Sequence, residues 1–169
     1  HAMFVARNKE GFDDLYFGGT EGVFRATCKD GEWNIEHLLS VPTSDIVYMD
    51  LDGDGKEELA IIEEFHGNKA VVFKKLGAGM ERMVEIPLSF GQFFGRPALI
   101  TGSRAGDKTL RKFTFTCDGE GRTQIEEETV LDEGQAPAQI FVTGDAKESI
   151  VVAANHGVAT MAEYRCTEA

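Results

Sequence analysis

The sequence predicts an all-β protein. Short runs of β-favouring residues recur at intervals of about 8–12 residues, and Gly-, Asp- and Asn-containing turns separate them. The chain has 19 Gly and only 4 Pro among 169 residues, a composition that favours many tight turns over a linker. No stretch shows a helical period. A chain of this length can bury one core, so we expect a single domain over residues 4–169, after a remnant of cloning at residues 1–3.

A unit of about 45 residues recurs four times, which is the signature of a repeat architecture. The entry into the same strand is found at Gly11–Phe17, Gly55–Ile61, Gly95–Ile100 and Lys147–Val152. The units fall near residues 4–42, 43–89, 90–133 and 134–166. Four antiparallel strands in about 45 residues is the size of a propeller blade. We therefore expect a β-propeller-type fold of about four blade-like repeats, either a complete small ring or part of a larger propeller.

The second unit contains an acidic loop, Asp-Leu-Asp-Gly-Asp-Gly-Lys-Glu-Glu, at residues 50–58. Apolar runs precede and follow it, so a strand–loop–strand site is expected; an EF-hand would need Glu where Ile61 stands. Gly53 and Gly55 permit the positive φ angles of a curled loop. Ca²⁺ takes six to eight oxygens at about 2.3–2.6 Å. The expected ligands are the side chains of Asp50, Asp52, Asp54 and Glu58 and the backbone carbonyl of Lys56. The alternative is a solvated acidic hairpin without metal.

The pattern Asp-x-Asp-Gly-Asp-Gly-x-x-Glu-Leu at Asp50–Leu59, inside such a unit, resembles the FG-GAP/VCBS type of β-propeller repeat. In that family this loop joins the first two strands of a blade and binds Ca²⁺. The first unit offers only Ala6, Asn8, Glu10 and Asp14 at the matching positions, the third offers no carboxylate, and the fourth offers Asp145 and Glu148. The resemblance therefore implies one Ca²⁺ per chain.

A narrower resemblance rests on three further segments. Glu63–Lys69, Gly95–Lys108 and Ala153–Gly157 look like parts of the propeller domain of the aldos-2-ulose dehydratase group. That group contains sugar-processing lyases with metal-bearing propellers. The resemblance implies a carbohydrate lyase or dehydratase as an alternative activity.

A second candidate site follows from blade geometry. The loop between strands one and two of a blade lies on one face, and the turn between strands two and three lies on the other. The candidates in or beside these turns are Glu64, His66, Arg104, Asp107, Lys108, Asn155 and His156. Around a channel mouth they could bind an anionic or polyhydroxylated ligand. His66 and His156 could ligate Zn²⁺ or another transition metal or exchange protons, and Glu64 could act as a base. The catalytic candidates are His66, Arg104 and His156, and a purely structural role in the turns is the alternative.

Charge and cysteine content restrict the partners and the compartment. A net charge of −12 argues against nucleic acid and anionic membrane surfaces, and no apolar run approaches the roughly 20 residues of a membrane span. Three widely spaced cysteines do not form a disulfide framework, which favours a reducing, cytoplasmic location. Cys28 and Cys117 fall in equivalent hairpin turns, where we expect exposed thiols that do not pair with each other. We expect Trp33 to pack between blades.

The leading functional hypothesis is a non-catalytic, calcium-binding scaffold for a small molecule, which could be a carbohydrate, or for a protein. One alternative is a sugar lyase or dehydratase with His66, Arg104 and His156 near the channel. Another is a self-assembling interaction module, because the exposed edge of an incomplete ring would invite pairing with a second copy.

Overall fold

The structure is a computed structural model that describes residues 2–7, 13–64, 67–88, 93–95, 98–144 and 148–167. These ranges contain fifteen strands in four antiparallel sheets, which confirms the all-β prediction. The same ranges contain no helix, and so none of sufficient length and apolar character to cross a membrane.

The strands follow the chain as four successive meanders. Sheet I comprises β1 (Ala2–Arg7), β2 (Asp13–Gly19), β3 (Gly22–Lys29) and β4 (Glu32–Leu39). Sheet II comprises β5 (Thr43–Met49), β6 (Glu58–Glu63), β7 (Lys69–Leu76) and β8 (Gly79–Pro87). Sheet III comprises β9 (Phe93–Gly95), β10 (Leu99–Gly102), β11 (Leu110–Cys117) and β12 (Thr123–Asp132). Sheet IV comprises β13 (Pro137–Gly144), β14 (Glu148–Asn155) and β15 (Thr160–Thr167).

The strand order within each sheet is the order along the chain. Sheets I to III have four strands each, as expected for a blade-like repeat, whereas sheet IV has three within the described part of the chain. Ala2 and Met3 of β1 pair with Gly18 and Phe17 of β2. The residues assigned to a cloning remnant thus extend the first strand.

The sheets are stacked through their first strands. Strand β5 contacts β1 and β9, and β9 also contacts β13. Sheet II is therefore placed between sheets I and III, and sheet III between sheets II and IV.

Strand β6 shows how this stack forms a continuous core. All six of its residues are buried. Leu59 and Ile61 join the apolar cluster shared with sheet I, whereas Ala60 and Ile62 join the cluster shared with sheet III. Successive side chains of a strand point to opposite faces, so an unbroken apolar run is what a sheet covered on both faces requires.

The stack ends in exposed faces. On sheet I, Trp33 is 59% exposed and Ile35 is 62% exposed, and on sheet IV, Phe141 is 58% exposed. A small ring closed by these four sheets would bury these residues, so the described sheets do not close on one another. The prediction that Trp33 packs between blades is wrong, because no described sheet lies against its side of β4.

The far end of β6 carries a buried ion pair. The Glu63 carboxylate accepts hydrogen bonds from Arg82 at 2.7 and 3.1 Å, and Lys69 Nζ lies 2.9 Å from it. Burial alone would raise the pKa of Glu63, but the hydrogen bonds from Lys69 and Arg82 outweigh it and hold that pKa below its usual range.

The double-sided burial of β6 can be tested by truncation. Ile61 is 0% exposed. Ile61→Ala should lower the free energy of unfolding of the protein by about 2–5 kcal/mol, because a cavity remains in the core. Ile125 on β12 is 39% exposed, so the same change there should cost at most about 1 kcal/mol. Urea unfolding of both variants measures the difference, and equal losses would contradict the stacked arrangement.

The Glu63 ion pair predicts an acid-dependent loss of stability. A pKa lowered in the folded state stabilises the fold above the unfolded-state value of about 4.5, and this contribution is lost as the pH falls through the folded pKa. Glu63→Gln should cost about 1–3 kcal/mol at neutral pH and flatten the decline in stability below about pH 5. Denaturation midpoints of both proteins across that range are the measurement. If the stability of both proteins declined equally with falling pH, Glu63 would not be the cause of the acid-dependent loss.

Candidate metal centre

The acidic loop leaves β5 at Asp50 and enters β6 at Glu58. Gly53 and Gly55 have φ angles of 76° and 84°, in the left-handed region that glycine adopts without strain. The Asp50 carboxylate accepts hydrogen bonds from the backbone N–H groups of Gly53 and Gly55 at 2.8 and 3.0 Å. The loop is therefore curled around its first carboxylate.

Three further carboxylates stabilise the same loop. Asp52 accepts from the Asp54 N–H at 3.2 Å, and Asp54 accepts from the Lys56 N–H at 2.8 Å. Glu58 Oε2 accepts from the Leu51 N–H at 2.7 Å. These bonds point the acidic side chains toward the inside of the loop.

The carboxylates converge. One oxygen from each of Asp50, Asp52 and Glu58 lies within 4.8 Å of the other two. Ligand oxygens about 2.3–2.6 Å from a shared Ca²⁺ must lie within about 5 Å of one another, so this spacing fits a calcium ion. A second group, formed by Asp52, Asp54 and Cys117, meets the same limit.

A lysine that the sequence analysis missed lies among these carboxylates. Lys74 of β7 is fully buried, and its Nζ lies 2.6 Å from Asp52 Oδ2, 2.9 Å from Asp54 Oδ2 and 3.0 Å from Glu58 Oε1. Burial alone would lower the pKa of Lys74, but the three carboxylates raise it above its usual range and keep the ammonium charged. The register of the β6–β7 hairpin places Lys74 opposite Glu58, and the sequence alone does not give this pairing.

The ammonium does not balance the cluster. The side chains of Asp52 and Glu58 are fully buried, and that of Asp54 is 17% exposed. Glu58 Oε1 is buried and forms an ion pair with Lys74 Nζ at 3.0 Å, but no described residue donates a well-aligned hydrogen bond to it. Burial also raises the pKa of Glu58. One ammonium beside Asp52, Asp54 and Glu58 leaves net negative charge in the cluster. Buried negative charge is costly, so the cluster favours a further positive charge.

Sheet III contributes to the same cluster. Thr123 Oγ1 donates a hydrogen bond of 2.6 Å to Asp52 Oδ2. Cys117 of β11 pairs with Thr123 of β12. Its thiol lies 3.7 Å from Asp54 Oδ2 and 3.8 Å from Lys74 Nζ. The acidic loop thus joins sheet II to sheet III.

The positions of the cysteines differ from the prediction, whereas their free thiols agree with it. Cys117 is partly buried at the end of β11 and Cys28 is partly buried near the end of β3, rather than at exposed turn tips. Both are free thiols, as expected. Burial and the nearby carboxylates of Asp52 and Asp54 raise the pKa of the Cys117 thiol.

The structure brings part of the second predicted site together. Arg104, Asp107 and Lys108 are exposed between β10 and β11, and His156 is exposed after β14. The Lys108 carbonyl accepts a hydrogen bond from the Ala136 N–H at 3.4 Å, and the Ala136 carbonyl accepts one from the His156 N–H at 3.0 Å. The backbone therefore brings these two turns together at one end of sheets III and IV.

The remaining members of that set have different positions. Asn155 is buried, and its side-chain amide donates to Thr160 Oγ1 at 3.4 Å across the β14–β15 hairpin. Glu64 is exposed after β6. His66 lies outside the described residues, so a metal shared by His66 and His156 stays a prediction.

Fold and site together define a class: an all-β protein of stacked antiparallel meanders with an acidic strand–loop–strand cluster suited to a hard cation. No protein-family model matches the sequence, and no curated protein matches it.

Removing the buried ammonium should destabilise the protein even without metal. Lys74→Met leaves Asp52 and Glu58 buried without their cation, which should cost about 3–5 kcal/mol. The adjacent Lys75 is exposed, and Lys75→Met should change stability by no more than about 0.5 kcal/mol. Urea unfolding in a chelator compares the two variants. Similar stabilities would show that Lys74 does not hold the cluster together.

Proposed function

We propose that this chain is a non-catalytic, calcium-binding scaffold of the FG-GAP/VCBS β-propeller type, which binds one Ca²⁺ at Asp50–Glu58 and presents surfaces to a small molecule or a protein. The observation that carries the proposal is the convergence of carboxylate oxygens from Asp50, Asp52 and Glu58 within 4.8 Å of one another. Hard cations with oxygen ligands satisfy such a cluster.

The charge of the cluster supports a divalent ion. Asp50, Asp52, Asp54 and Glu58 bring four negative charges, and Lys74 supplies one positive charge. Lys56 Nζ, 3.6 Å from Asp54 Oδ2, supplies another. Two negative charges remain, which Ca²⁺ would neutralise. Since Lys74 contacts one oxygen each of Asp52, Asp54 and Glu58, both oxygens of Asp50 and the other oxygens of these residues are free of the ammonium.

The propeller assignment is supported by the stacking. Each sheet is a meander in chain order, and the first strands of successive sheets contact one another. This is how blades are arranged around an axis, with the first strand of each blade innermost. The acidic loop connects the first two strands of sheet II, as it does in the family that the sequence resembles.

The proposed role of the ion is structural. Asp52 is both an expected ligand and the acceptor for Thr123 of sheet III. A cation that fixes Asp52 would therefore also fix the contact between two sheets. The scaffold's ligand surface is proposed at the other end of the strands, where the exposed Arg104 and Lys108 lie beside His156. The cationic side chains of Arg104 and Lys108 suit an anionic or polyhydroxylated ligand.

Calcium titration of the metal-stripped protein tests the proposal. We expect one Ca²⁺ per chain by calorimetry and a higher unfolding temperature with Ca²⁺ present, because only the folded loop binds the ion. Asp50→Asn should weaken binding at least tenfold. In chelator it should cost only about 1 kcal/mol, since the amide keeps one acceptor oxygen for the Gly53 and Gly55 N–H groups. Glu57→Gln is the matched control, because Glu57 lies in the loop but is not an expected ligand.

Two outcomes would contradict the calcium assignment. One is a wild-type protein whose unfolding temperature does not respond to Ca²⁺, which would make the loop a solvated acidic hairpin. The other is equal weakening by Asp50→Asn and Glu57→Gln, which would indicate attraction by general negative charge rather than coordination.

A further inference from the structure

The face of sheet I that points away from sheet II is apolar and uncovered. The strand register aligns Met3, Phe17, Phe24 and His37 in one row across the sheet, and Val5, Leu15, Ala26 and Ile35 in the next. Trp33 follows in a third row, opposite Cys28. We call this surface the open face of sheet I.

The open face is exposed over most of its width. Met3 is 72% exposed and Val5 is 52% exposed at one edge, and Trp33 and Ile35 are 59% and 62% exposed at the other. Between these edges the rings of Phe17 and Phe24 stack with centroids 5.5 Å apart, and Phe24 stacks on His37 at 4.6 Å. The first two rows contain no acidic, Lys or Arg side chain, in a protein of net charge −12. Large contiguous apolar surfaces of this kind mark interaction sites.

The rest of the molecule indicates what covers such a face. Sheets II and III are each covered on both sides by another sheet of this chain. Sheet IV packs Ile140, Val151 and Ala153 against sheet III and leaves its other face open. Phe141 and Met161 on that face are 58% and 76% exposed, and the half-buried Val152 pairs with Phe141. The same face of sheet IV also carries Glu163, which pairs with Val152, and Arg165, which pairs with Ile150; their side chains form an ion pair at 2.9 Å. The stack therefore presents an open face at each end, apolar on sheet I and mixed on sheet IV.

We propose that two copies of this chain associate, with the open face of sheet I of each copy packed on the open face of sheet IV of the other. The inference rests on the propeller-type stacking of the proposed function. A two-fold axis then generates two identical contacts and closes a ring of eight sheets, the upper end of the usual range for propellers. The sheet I–sheet IV contact continues the packing already present between successive sheets.

The size of the surfaces favours a closed pair. Sheet IV has three described strands and limits the size of each contact. Three strands about 4.8 Å apart and about seven residues long, at about 3.3 Å per residue, cover on the order of 300 Å². One such contact is small for a stable complex. Two contacts cover on the order of 600 Å² per copy, at the lower end of the standard range for specific interfaces. The charge-free rows also allow two copies of a strongly acidic chain to approach without placing like charges face to face.

Sedimentation velocity with paired variants tests the proposal. The wild-type protein should be a dimer at micromolar concentration. Trp33→Glu on sheet I and Phe141→Asp on sheet IV should each be monomeric, because each buries a charge in both contacts of the ring. Asn34→Glu is the matched control: Asn34 is exposed on the same strand as Trp33 but points to the opposite face, so this variant should stay dimeric.

Mixing the two variants distinguishes the proposed sheet I–sheet IV contact from other modes of association. Trp33→Glu retains an intact sheet IV face and Phe141→Asp retains an intact sheet I face. A mixture of the two can form one intact contact per pair, so it should dimerise, but only at concentrations well above those that the wild type needs. Trp33 is the only tryptophan, so dilution of the wild-type protein should shift its fluorescence to the red as the dimer separates.

Several results would overturn the proposal. They are a wild-type monomer at all concentrations, a dimer that survives Phe141→Asp and so pairs sheet I with sheet I, and growth into larger oligomers with concentration. All measurements are repeated in chelator and in Ca²⁺. A dimer that persists in both, from a protein that binds no Ca²⁺, would refute the calcium scaffold and leave the association standing.

Discussion

The buried ammonium of Lys74 is the interaction on which the centre of this molecule depends. It places one fixed positive charge among three carboxylates that the fold withdraws from water. Without it, two fully buried acids would face each other across the start of β6. The repulsion of carboxylates in such a loop is usually a reason to expect disorder without metal. Here the protein supplies part of the neutralisation itself, so an added Ca²⁺ would complete the charge balance of a loop that is already formed.

A second constraint is the double-sided burial of the inner sheets. Unbroken apolar runs such as Leu59–Ile62 satisfy this constraint, because alternate residues of the run pack against different neighbouring sheets. The same constraint explains why charged residues at the ends of β6 are paired. Glu58 and Glu63 are buried at the two ends of the strand. Glu58 pairs with Lys74, and Glu63 pairs with Arg82 and Lys69. A sheet in this position cannot leave a carboxylate unpartnered at low cost.

The parts of the structure predicted from sequence are those that local chemistry determines. Turn residues and β-favouring runs indicated the strands, and Gly53 and Gly55 have the positive φ angles that a curled acidic loop requires. Lys74, Cys117 and Thr123 were missed because they reach the loop from another strand or another sheet, through registers that the sequence alone does not give. Trp33 was assigned to an interface because a large aromatic residue usually packs. Whether it does so depends on a neighbouring sheet, and no local signal reports one.

The cation cluster and the open faces lie in different parts of the stack, and this separation has a thermodynamic consequence. The cluster uses sheets II and III, whereas the open faces belong to sheets I and IV. No residue is shared between them, and independent sites contribute additively to stability. A cation would therefore strengthen the middle of each chain without favouring association, and association would cover the ends without changing the ligands of the cation. Coupling between the two would require a change in how sheets II and III pack, which the Asp52–Thr123 hydrogen bond opposes.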